Sequence, residues 1–564
     1  MADLVIRGAR VCDGGGAPAR EADVAVADGR IVECGAVRAR GTDEVDAGGL
    51  VCAPGFIDVH THYDCQLFWD TEASPSPWHG VTTVVMGNCG LTLAPCREEH
   101  RDTLLRLLAF VEGMPLETLR AAIPWEWRTF PEYLAALERR GAAVNVGVFV
   151  GHSAVRLEVL GAAAVERAAT PEERAAMAAV VRDAVRAGAL GWSTSRSPTH
   201  FFADDGKPAP SRLADEAELL ALAGALAEFD RGVIEVAPQS TLGGTADKVA
   251  EQAVFAAWAR ASGKTVSWAP LFESPFHAGA TERCLADAAA YQQAGVMVVP
   301  QVGCRPLELR FDFARAGFGL DNNPFWRPIL QEPLADRRRR FADPAFRQAL
   351  ATAPHGFVAY LAPGWERLVL RVAASDATRP LQDQSVAQVA AERGCEPVDA
   401  FCDLVLADDL AGQWGALVMN FDEEKVERLL RHPAAVVALS DAGAHLDTLC
   451  DQGFTTYLLG HWVRERRRLT LEEAVRLVSA VPAERYGLRG RGRIAAGYVA
   501  DLVLFDPQRV GTRPTEVVRD LPQRKPRLLQ RATGVEWVFV GGEPVVARGT
   551  PTGRRPGRVL RGGV

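Results

Sequence analysis

Two histidines separated by one residue, His60 and His62, are the first candidate metal ligands in this sequence. They follow the short apolar segment 55–59, which is predicted to be a strand. Because side chains alternate along a strand, both imidazoles would lie on the same face and converge on one point. Neutral imidazole is a ligand for zinc and similar metals. Two histidines hydrogen-bonded within a core would give the same pattern, so ligands from other segments must decide between these interpretations.

A cysteine and an aspartate follow two further apolar segments. Cys89 stands among small residues after the predicted strand 81–86, where a neighbouring metal would lower the pKa of its thiol and favour a thiolate ligand. Asp441 follows the predicted strand 435–439, and its carboxylate could bind the metal or accept a proton from water that the metal activates. The alternatives are a buried structural cysteine and an aspartate that caps a helix before Ala442.

Short apolar segments alternate with helical patterns along the middle of the chain, which indicates repeated strand–helix units and a parallel sheet. Eight such strands would close into an α/β fold of the TIM (β/α)8 barrel type, with its chemistry on the loops that follow the strands. Closure makes the first and eighth strands neighbours, so Asp441 can reach His60 and His62. The predicted strands are 55–59, 81–86, 144–150, 189–193, 233–236, 265–268, 296–300 and 435–439.

Both ends of the chain have the alternating pattern of strands. Segments 4–7, 24–26 and 31–34 near the start predict a small antiparallel sheet, and a hairpin turn precedes the third of them. Segments 500–505 and 535–540 near the other end predict further strands. The two ends are therefore expected to form one β domain.

This pattern predicts three parts. A β-sandwich domain would comprise 1–54 and 488–548, and the barrel would occupy 55–487. A long insertion at about 304–434 would add helices or a lid over the mouth of the barrel, because it is too long for one connection. The basic segment 549–564 is predicted to be a flexible tail.

Composition excludes several classes of protein. Of 564 residues, 48% are hydrophobic and 24% are charged, which is typical of a globular enzyme. The net charge of -8, with both signs mixed along the chain, argues against nucleic acid and favours a small-molecule partner. The eleven irregularly spaced cysteines and the absence of a signal-peptide pattern or a long apolar stretch predict a cytoplasmic protein without a membrane partner. The oligomeric state is left open, a homo-oligomer included.

Several longer motifs, taken together, resemble the amidohydrolase superfamily and within it the N-acyl-D-amino-acid deacylase (D-aminoacylase) group. The resemblance extends over residues 4 to about 507. It implies a barrel flanked by a small β-sandwich made from both termini, and hydrolysis of an amide in an N-acyl-D-amino acid. The motifs are Ala53–His62, Gly80–Gly90, Gly188–Gly191, Ser440–Gly443 and Gly497–Leu502.

The resemblance also implies roles for single residues. His60 and His62 would bind the metal, Cys89 would be an unusual thiolate ligand, and Asp441 would act as both ligand and catalytic base. Deacylases of this group take further histidine ligands from strands five and six, and here segments 235–239 and 267–270 contain none.

Three arrangements of the metal site follow from the missing histidines: a single zinc held by His60, His62, Cys89 and Asp441, a rearranged site that uses Glu235 or a remote histidine, or no metal. The number of ligands favours one zinc per chain. A catalytic zinc needs one open position for water, and that position is open if Asp441 serves as the base.

Five other residues near the predicted strand ends are candidates for substrate binding: His152, Arg196, His200, Arg305 and His445. A guanidinium can bind a substrate carboxylate through two hydrogen bonds, which suits Arg196 or Arg305. The loop histidine His200 could contact the substrate or polarise its carbonyl. Ordinary ion pairs and solvated loops are the alternatives for these residues.

The sequence therefore predicts a metal-dependent amidohydrolase that cleaves a non-peptide C–N bond, with Asp441 taking a proton from water and returning it to the leaving nitrogen. Cyclic amides, ureides and specialised metabolites are alternative substrates for the same site. A barrel without metal, which binds a ligand or catalyses a non-hydrolytic reaction, is the rival from another class.

Overall fold

Eight parallel strands form the centre of the protein and hydrogen-bond in chain order, so each strand lies beside the next one in the sequence. The computed structural model describes residues 2–202, 204–240, 247–274, 279–315, 320, 323, 325–352 and 364–563. The central strands are Phe56–Asp58, Val81–Met86, Asn145–Gly151, Gly191–Ser195, Val233–Ala237, Thr265–Trp268, Val298–Val302 and Val436–Val437.

The central sheet curls until its first and last strands meet. A parallel bridge joins Thr61 to Ala442, and the backbone N–H of His62 donates to the carbonyl of Ala442 at 2.8 Å. The predicted α/β barrel is thus confirmed, and all eight predicted strands overlap an observed one. The eighth is shorter than its predicted range because the backbone turns to a positive φ of 76° at Leu439, which ends the pairing.

Helices cover the outside of the central sheet. Helix Pro171–Ala187 shows why they begin and end where they do: Thr170 and Glu173 form a reciprocal capping box, a proline stands in the first turn, and Gly188 follows the last turn with a φ of 120°. The α-helices of this layer are Tyr63–Gln66, Arg101–Val111, Leu116–Ala122, Phe130–Arg140, His152–Leu160, Pro171–Ala187, Glu216–Gly224, Lys248–Ser262, Ala280–Gln293, Glu423–Arg431, Phe454–Tyr457, Leu471–Val478 and Ala480–Tyr486.

The two ends of the chain build one mixed β-sheet of nine strands. Val51–Pro54 pairs antiparallel with Leu502–Phe505, which joins the N-terminal strands to the C-terminal ones. The predicted antiparallel pairing of the first three strands is confirmed, and Ala2–Val11 also lies parallel to two further strands, which makes the sheet mixed. The strands are Ala2–Val11, Arg20–Ala27, Arg30–Gly35, Gly41–Asp46, Val51–Pro54, Leu502–Phe505, Val535–Val540, Glu543–Ala547 and Thr550–Pro551.

Smaller elements complete this end of the chain and the insertion. Two short ladders pair Gly511–Thr512 with Ala532–Thr533 and Glu516–Val518 with Arg527–Leu529. The insertion after the seventh barrel strand contains an antiparallel sheet of Leu307–Phe311, Gln413–Met419 and Leu368–Val372, and its α-helices are Trp326–Leu330, Leu334–Ala342, Pro344–Thr352, Val386–Arg393 and Pro397–Ala407.

The insertion has a hydrophobic core of its own, separate from that of the barrel. Phe313, Phe341 and Phe401 stand at its centre, with ring centroids 5.0 to 6.2 Å apart, and Trp414 packs edge-on against Phe401. Such pairs stabilise the packing beyond the area that they bury. The insertion is therefore a folded unit over the barrel.

The basic C-terminal segment is packed against the barrel, and the prediction that it is a flexible tail is wrong. Gly557 and Val559 form bridges to Ala142 and Val146, and Leu560 is buried. The fixed strand end of the barrel offers backbone partners that the sequence pattern of the tail does not reveal. None of the helices in the described part of the chain is long and apolar enough to cross a membrane.

Candidate metal centre and its cavity

His60, His62 and Cys89 are brought together at one end of the barrel. One ligand atom from each lies within 4.8 Å of the others, and all three residues are buried. Cys89 Sγ is 3.6 Å from His60 Nε2. Two imidazole nitrogens and a sulfur in a buried site are a donor set that suits zinc, so these residues fit the metal that the sequence predicts.

The loop after the second strand turns the side chain of Cys89 toward the histidines. Gly87 and Cys89 both have positive φ values, 79° and 56°. This conformation is costly for a residue with a side chain and is found mainly where function requires it. The backbone N–H of Cys89 donates to Glu235 Oε2 at 2.6 Å, which fixes the turn.

Asp441 reaches the same point from the eighth strand. Its Oδ1 atom is 3.4 Å from His60 Nε2 and 3.8 Å from His62 Nε2. The next turn requires Gly443, which has a φ of 91° and approaches so closely that a Cβ atom there would lie 2.6 Å from the carbonyl oxygen of His62. Burial raises the pKa of Asp441, which makes its carboxylate a stronger base.

A hydrogen-bond network holds the ring of His60. Its Nδ1 atom lies 2.9 Å from Gln301 Oε1, an acceptor, so Nδ1 carries the proton and Nε2 keeps its lone pair for the metal. The Gln301 amide donates in turn to Ser267 and Tyr486. Ser267 stands in strand six, where the resemblance led to the expectation of a histidine, and here it supports the glutamine.

Glu112 contacts the other histidine and was missed in the sequence. Its Oε1 atom is 3.4 Å from His62 Nδ1, and its Oε2 atom is 3.8 Å from His445 Nε2. Burial, followed by the charge of Asp441, raises the pKa of Glu112 well above its ordinary value. Glu112 directly follows helix Arg101–Val111, away from any strand end, so no pattern in the sequence marked it.

Glu235 occupies strand five, where the second expected histidine is missing. Its carboxylate is fully buried, accepts from the backbone of Cys89 and lies 3.8 Å from His60 Nδ1. Burial raises its pKa to about 8, although the Cys89 N–H opposes the shift. Glu235 therefore contacts the outer atoms of the candidate ligands, and it does not line the cavity that their inner atoms face.

That cavity opens from the candidate metal ligands toward the insertion and has a volume of about 680 Å³, its open mouth included. Its apolar wall comes from the ends of strands five, six and eight and from the insertion. The apolar lining residues are Ala237, Ala269, Pro270, Phe272, Leu307, Leu439 and Leu449. The polar lining residues are His60, His62, Cys89, Glu112, Thr199, His200, Asp441, His445 and Asp451.

Two of the predicted substrate-binding residues line this cavity. His200 is buried, its Nδ1 atom has no hydrogen-bond partner, and burial lowers its pKa to about 3, so the ring is neutral. His445 also lines the cavity, and its backbone N–H donates to the carbonyl of Glu112. Two neutral imidazoles at the mouth of the metal site can donate or accept hydrogen bonds from a ligand.

The other three predicted residues do not line the described part of this cavity, and their role in substrate binding stays a prediction. His152 is enclosed between Thr194 at 2.9 Å and Glu218 at 2.7 Å. Arg196 pairs with Glu251 at 3.4 Å and is absent from the cavity wall. Arg305 stands behind the wall. Each of the three residues follows a barrel strand as expected, but its side chain contacts a carboxylate of the protein. The partners are Glu218, Glu251 and Asp451, respectively.

Comparisons with known proteins identify the family of this chain. The model of a family described as the amidohydrolase family matches residues 43–546. The chain is 31% identical to the D-aminoacylase of Alcaligenes xylosoxydans xylosoxydans, over 99% of this chain and 97% of that protein. Its fold is similar to that of N-acyl-D-glutamate deacylase from Bordetella bronchiseptica, whose crystal structure contains zinc and a phosphonate inhibitor. The two sequences are 28% identical, and the structures superpose with a TM-score of 0.67 over 99% of both chains. A D-aminoacylase structure with a binuclear metal centre is 25% identical, with a TM-score of 0.67 and full coverage of both chains.

Proposed function

Since this chain belongs to the amidohydrolase family, we propose that it hydrolyses the amide bond of an N-acyl-D-amino acid or a related small amide. Like its deacylase relatives, this protein is a metal-dependent hydrolase that acts on carbon–nitrogen bonds other than peptide bonds. The observation that carries the proposed substrate class is the convergence of His60, His62, Cys89 and Asp441 at one end of an open cavity.

The proposed cofactor is one zinc ion per chain, held by His60, His62 and Cys89. Two neutral imidazoles and one thiolate leave a position for water in a four-coordinate site, provided that Asp441 acts as the base. The missing histidines of strands five and six support one ion over two, because strand six offers only Ser267, which accepts from Tyr486, and Glu235 of strand five binds the backbone of Cys89 through its Oε2 atom. When bound, zinc polarises the substrate carbonyl and lowers the pKa of water.

Asp441 is the proposed general base and acid. Its raised pKa favours taking a proton from the attacking water, and the same proton can then pass to the leaving nitrogen. His200, whose Nδ1 atom lacks a partner, is proposed to donate a hydrogen bond to the bound substrate. His445, which also lines the cavity, is proposed to bind the α-carboxylate of the substrate.

A reducing compartment suits this site, and we propose that the protein acts on its small-molecule substrate in the cytoplasm. All eleven cysteines are free thiols in the structure. The proposed thiolate of Cys89 is among them, and an oxidising compartment would expose such a group to disulfide formation.

The test combines metal content with turnover. Purified protein is expected to hold about one zinc per chain and to release amino groups from N-acetyl-D-amino acids. His60→Ala/His62→Ala should lose both properties. Asp441→Asn should keep its zinc but lose turnover by about 10²-fold or more. Asp447→Asn, which alters an exposed carboxylate in the same loop, serves as the matched control.

Two results would contradict the proposal. Folded protein without bound metal, even after zinc is supplied, would favour the metal-free barrel. Full turnover by a folded Asp441→Asn variant would remove the proposed base. Circular dichroism of every variant separates loss of function from loss of fold.

A further inference from the structure

The described part of the cavity above the candidate metal centre is lined by three carboxyl groups and by no cationic side chain. Glu112, Asp441 and Asp451 all line it, and no lysine or arginine does among the residues that the structure describes. The residues outside the described ranges include neither lysine nor arginine. The three carboxylates also interact with one another through Asp441.

A zinc ion at the base would not reverse this balance. Its two positive charges would be matched by the thiolate of Cys89 and the carboxylate of Asp441, which leaves Asp451 on the wall without compensation from the metal. A second anionic group on a substrate would then meet a carboxylate and an apolar surface, and both disfavour a buried charge.

The guanidinium of Arg305 stands behind this wall, and it is already engaged. Arg305 Nε lies 3.0 Å from Asp451 Oδ1, and its Nη1 atom donates to Gln530 at 2.8 Å. The guanidinium also stacks over the ring of Tyr457, 5.3 Å from its centroid. Asp451 thus separates the positive charge of Arg305 from the cavity.

Part of the cavity wall is apolar. Leu307 and Leu449 come from the insertion side, and Phe272 and Pro270 follow strand six. Leu307 and Leu449 are 3% and 7% exposed, and both line the cavity. An apolar substituent that contacts these leucines would displace water from them and would leave no polar group unpaired.

We propose that this cavity selects amides whose variable side group is uncharged, with apolar groups favoured, and that Asp451, by neutralising Arg305, determines this preference. The inference rests on the proposed function, since it names the substrate class of the same site. It sets this protein apart from relatives whose names refer to N-acyl-D-aspartate and N-acyl-D-glutamate.

The test compares two substrates of the same shape, N-acetyl-D-glutamine and N-acetyl-D-glutamate, together with N-acetyl-D-leucine. The α-carboxylate is common to all three, so the glutamine–glutamate pair isolates the charge of the side chain. We expect kcat/KM to decrease in the order leucine, glutamine, glutamate, with at least about tenfold between the last two, which corresponds to about 1.4 kcal/mol. Equal or faster hydrolysis of the glutamate derivative would overturn the inference and leave the proposed function standing.

Asp451→Asn tests the role of the ion pair. Without its carboxylate partner, Arg305 should attract the acidic side chain, so the ratio between glutamine and glutamate derivatives should shrink or reverse. Asp23→Asn breaks an Arg7 pair of the same 3.0 Å length in the terminal sheet and should leave the ratio unchanged. An unchanged ratio in folded Asp451→Asn would reject the role of Asp451; if this variant does not fold, the wild-type ratio still decides the preference.

Binding separates failure of the inference from failure of the proposed function. Calorimetric affinities of the three compounds for zinc-loaded protein should follow the same order. If the three compounds bind in this order of affinity but none is hydrolysed, the proposed reaction is rejected and the proposed selectivity is supported. No binding of any of the three would overturn both.

Discussion

The Nδ1 atom of His62 lies 3.4 Å from the Oε1 atom of Glu112, and both residues are almost completely buried. With Nδ1 toward this carboxylate, the Nε2 atom of His62 faces Asp441. Outer carboxylates of this kind orient histidine ligands and increase their basicity. We therefore propose that Glu112 is a positioning residue for the metal centre.

Glu112→Gln should weaken zinc binding about 10- to 100-fold, because the carboxylate that orients the ring of His62 is lost. Competition with a coloured chelator measures the affinity. Glu117→Gln, at an exposed position in the following helix, is the control and should bind zinc normally. Wild-type affinity in Glu112→Gln would show that His62 needs no such partner.

Cys89→Ser should remove the sulfur from the metal site while the histidines remain. Cobalt-loaded wild-type protein is expected to show a thiolate-to-metal absorption band, because the sulfur binds the ion directly. The band should vanish in Cys89→Ser and persist in Cys395→Ser, which alters an exposed thiol. A band that survives in Cys89→Ser would assign the thiolate elsewhere.

Glu218→Gln should lower the free energy of unfolding by about 3 kcal/mol, because the fully buried Arg156 and His152 would lose their shared carboxylate. Chemical denaturation at pH 7 measures the change. Glu228→Gln breaks an exposed pair with Arg186 and should cost less than about 1 kcal/mol. Equal effects of the two substitutions would contradict the stabilising role of the buried cluster.

The same carboxylate should contribute to the acid sensitivity of the fold. Burial alone would raise the pKa of Glu218, but its contacts with His152 and Arg156 outweigh burial and hold the pKa at about 2. A folded pKa below the ordinary value of 4.5 means that this stabilisation is complete above pH 4.5 and is lost as the pH falls toward 2. Unfolding midpoints of wild type and Glu218→Gln should therefore converge across that range, and a constant difference would contradict the assignment.

Leu560→Ala tests the packed C-terminal segment. The side chain is 1% exposed and belongs to a cluster with Phe149 and Leu190 at the base of the barrel. Removing it should reduce stability by about 2–5 kcal/mol, as a buried leucine does elsewhere. The exposed Arg554→Ala is the control, and a Leu560→Ala variant as stable as the wild type would indicate that the segment detaches in solution.

Local patterns in the sequence were enough for the family and the fold. The period of two in a strand puts His60 and His62 on one face, and eight strand–helix units predict a parallel barrel; the barrel and the amidohydrolase resemblance are both confirmed. These features depend on neighbouring residues, which is why a single sequence reveals them.

The tertiary structure alone decided which side chains face the cavity. Glu112 reaches His62 from the end of a helix, whereas His152 and Arg305, at equally suitable strand ends, turn to Glu218 and Asp451. The sequence placed those residues near the mouth of the barrel but could not give their directions. A side chain's direction depends on rotamers and on partners many residues away, because a buried charge must find a counter-charge wherever the fold supplies one.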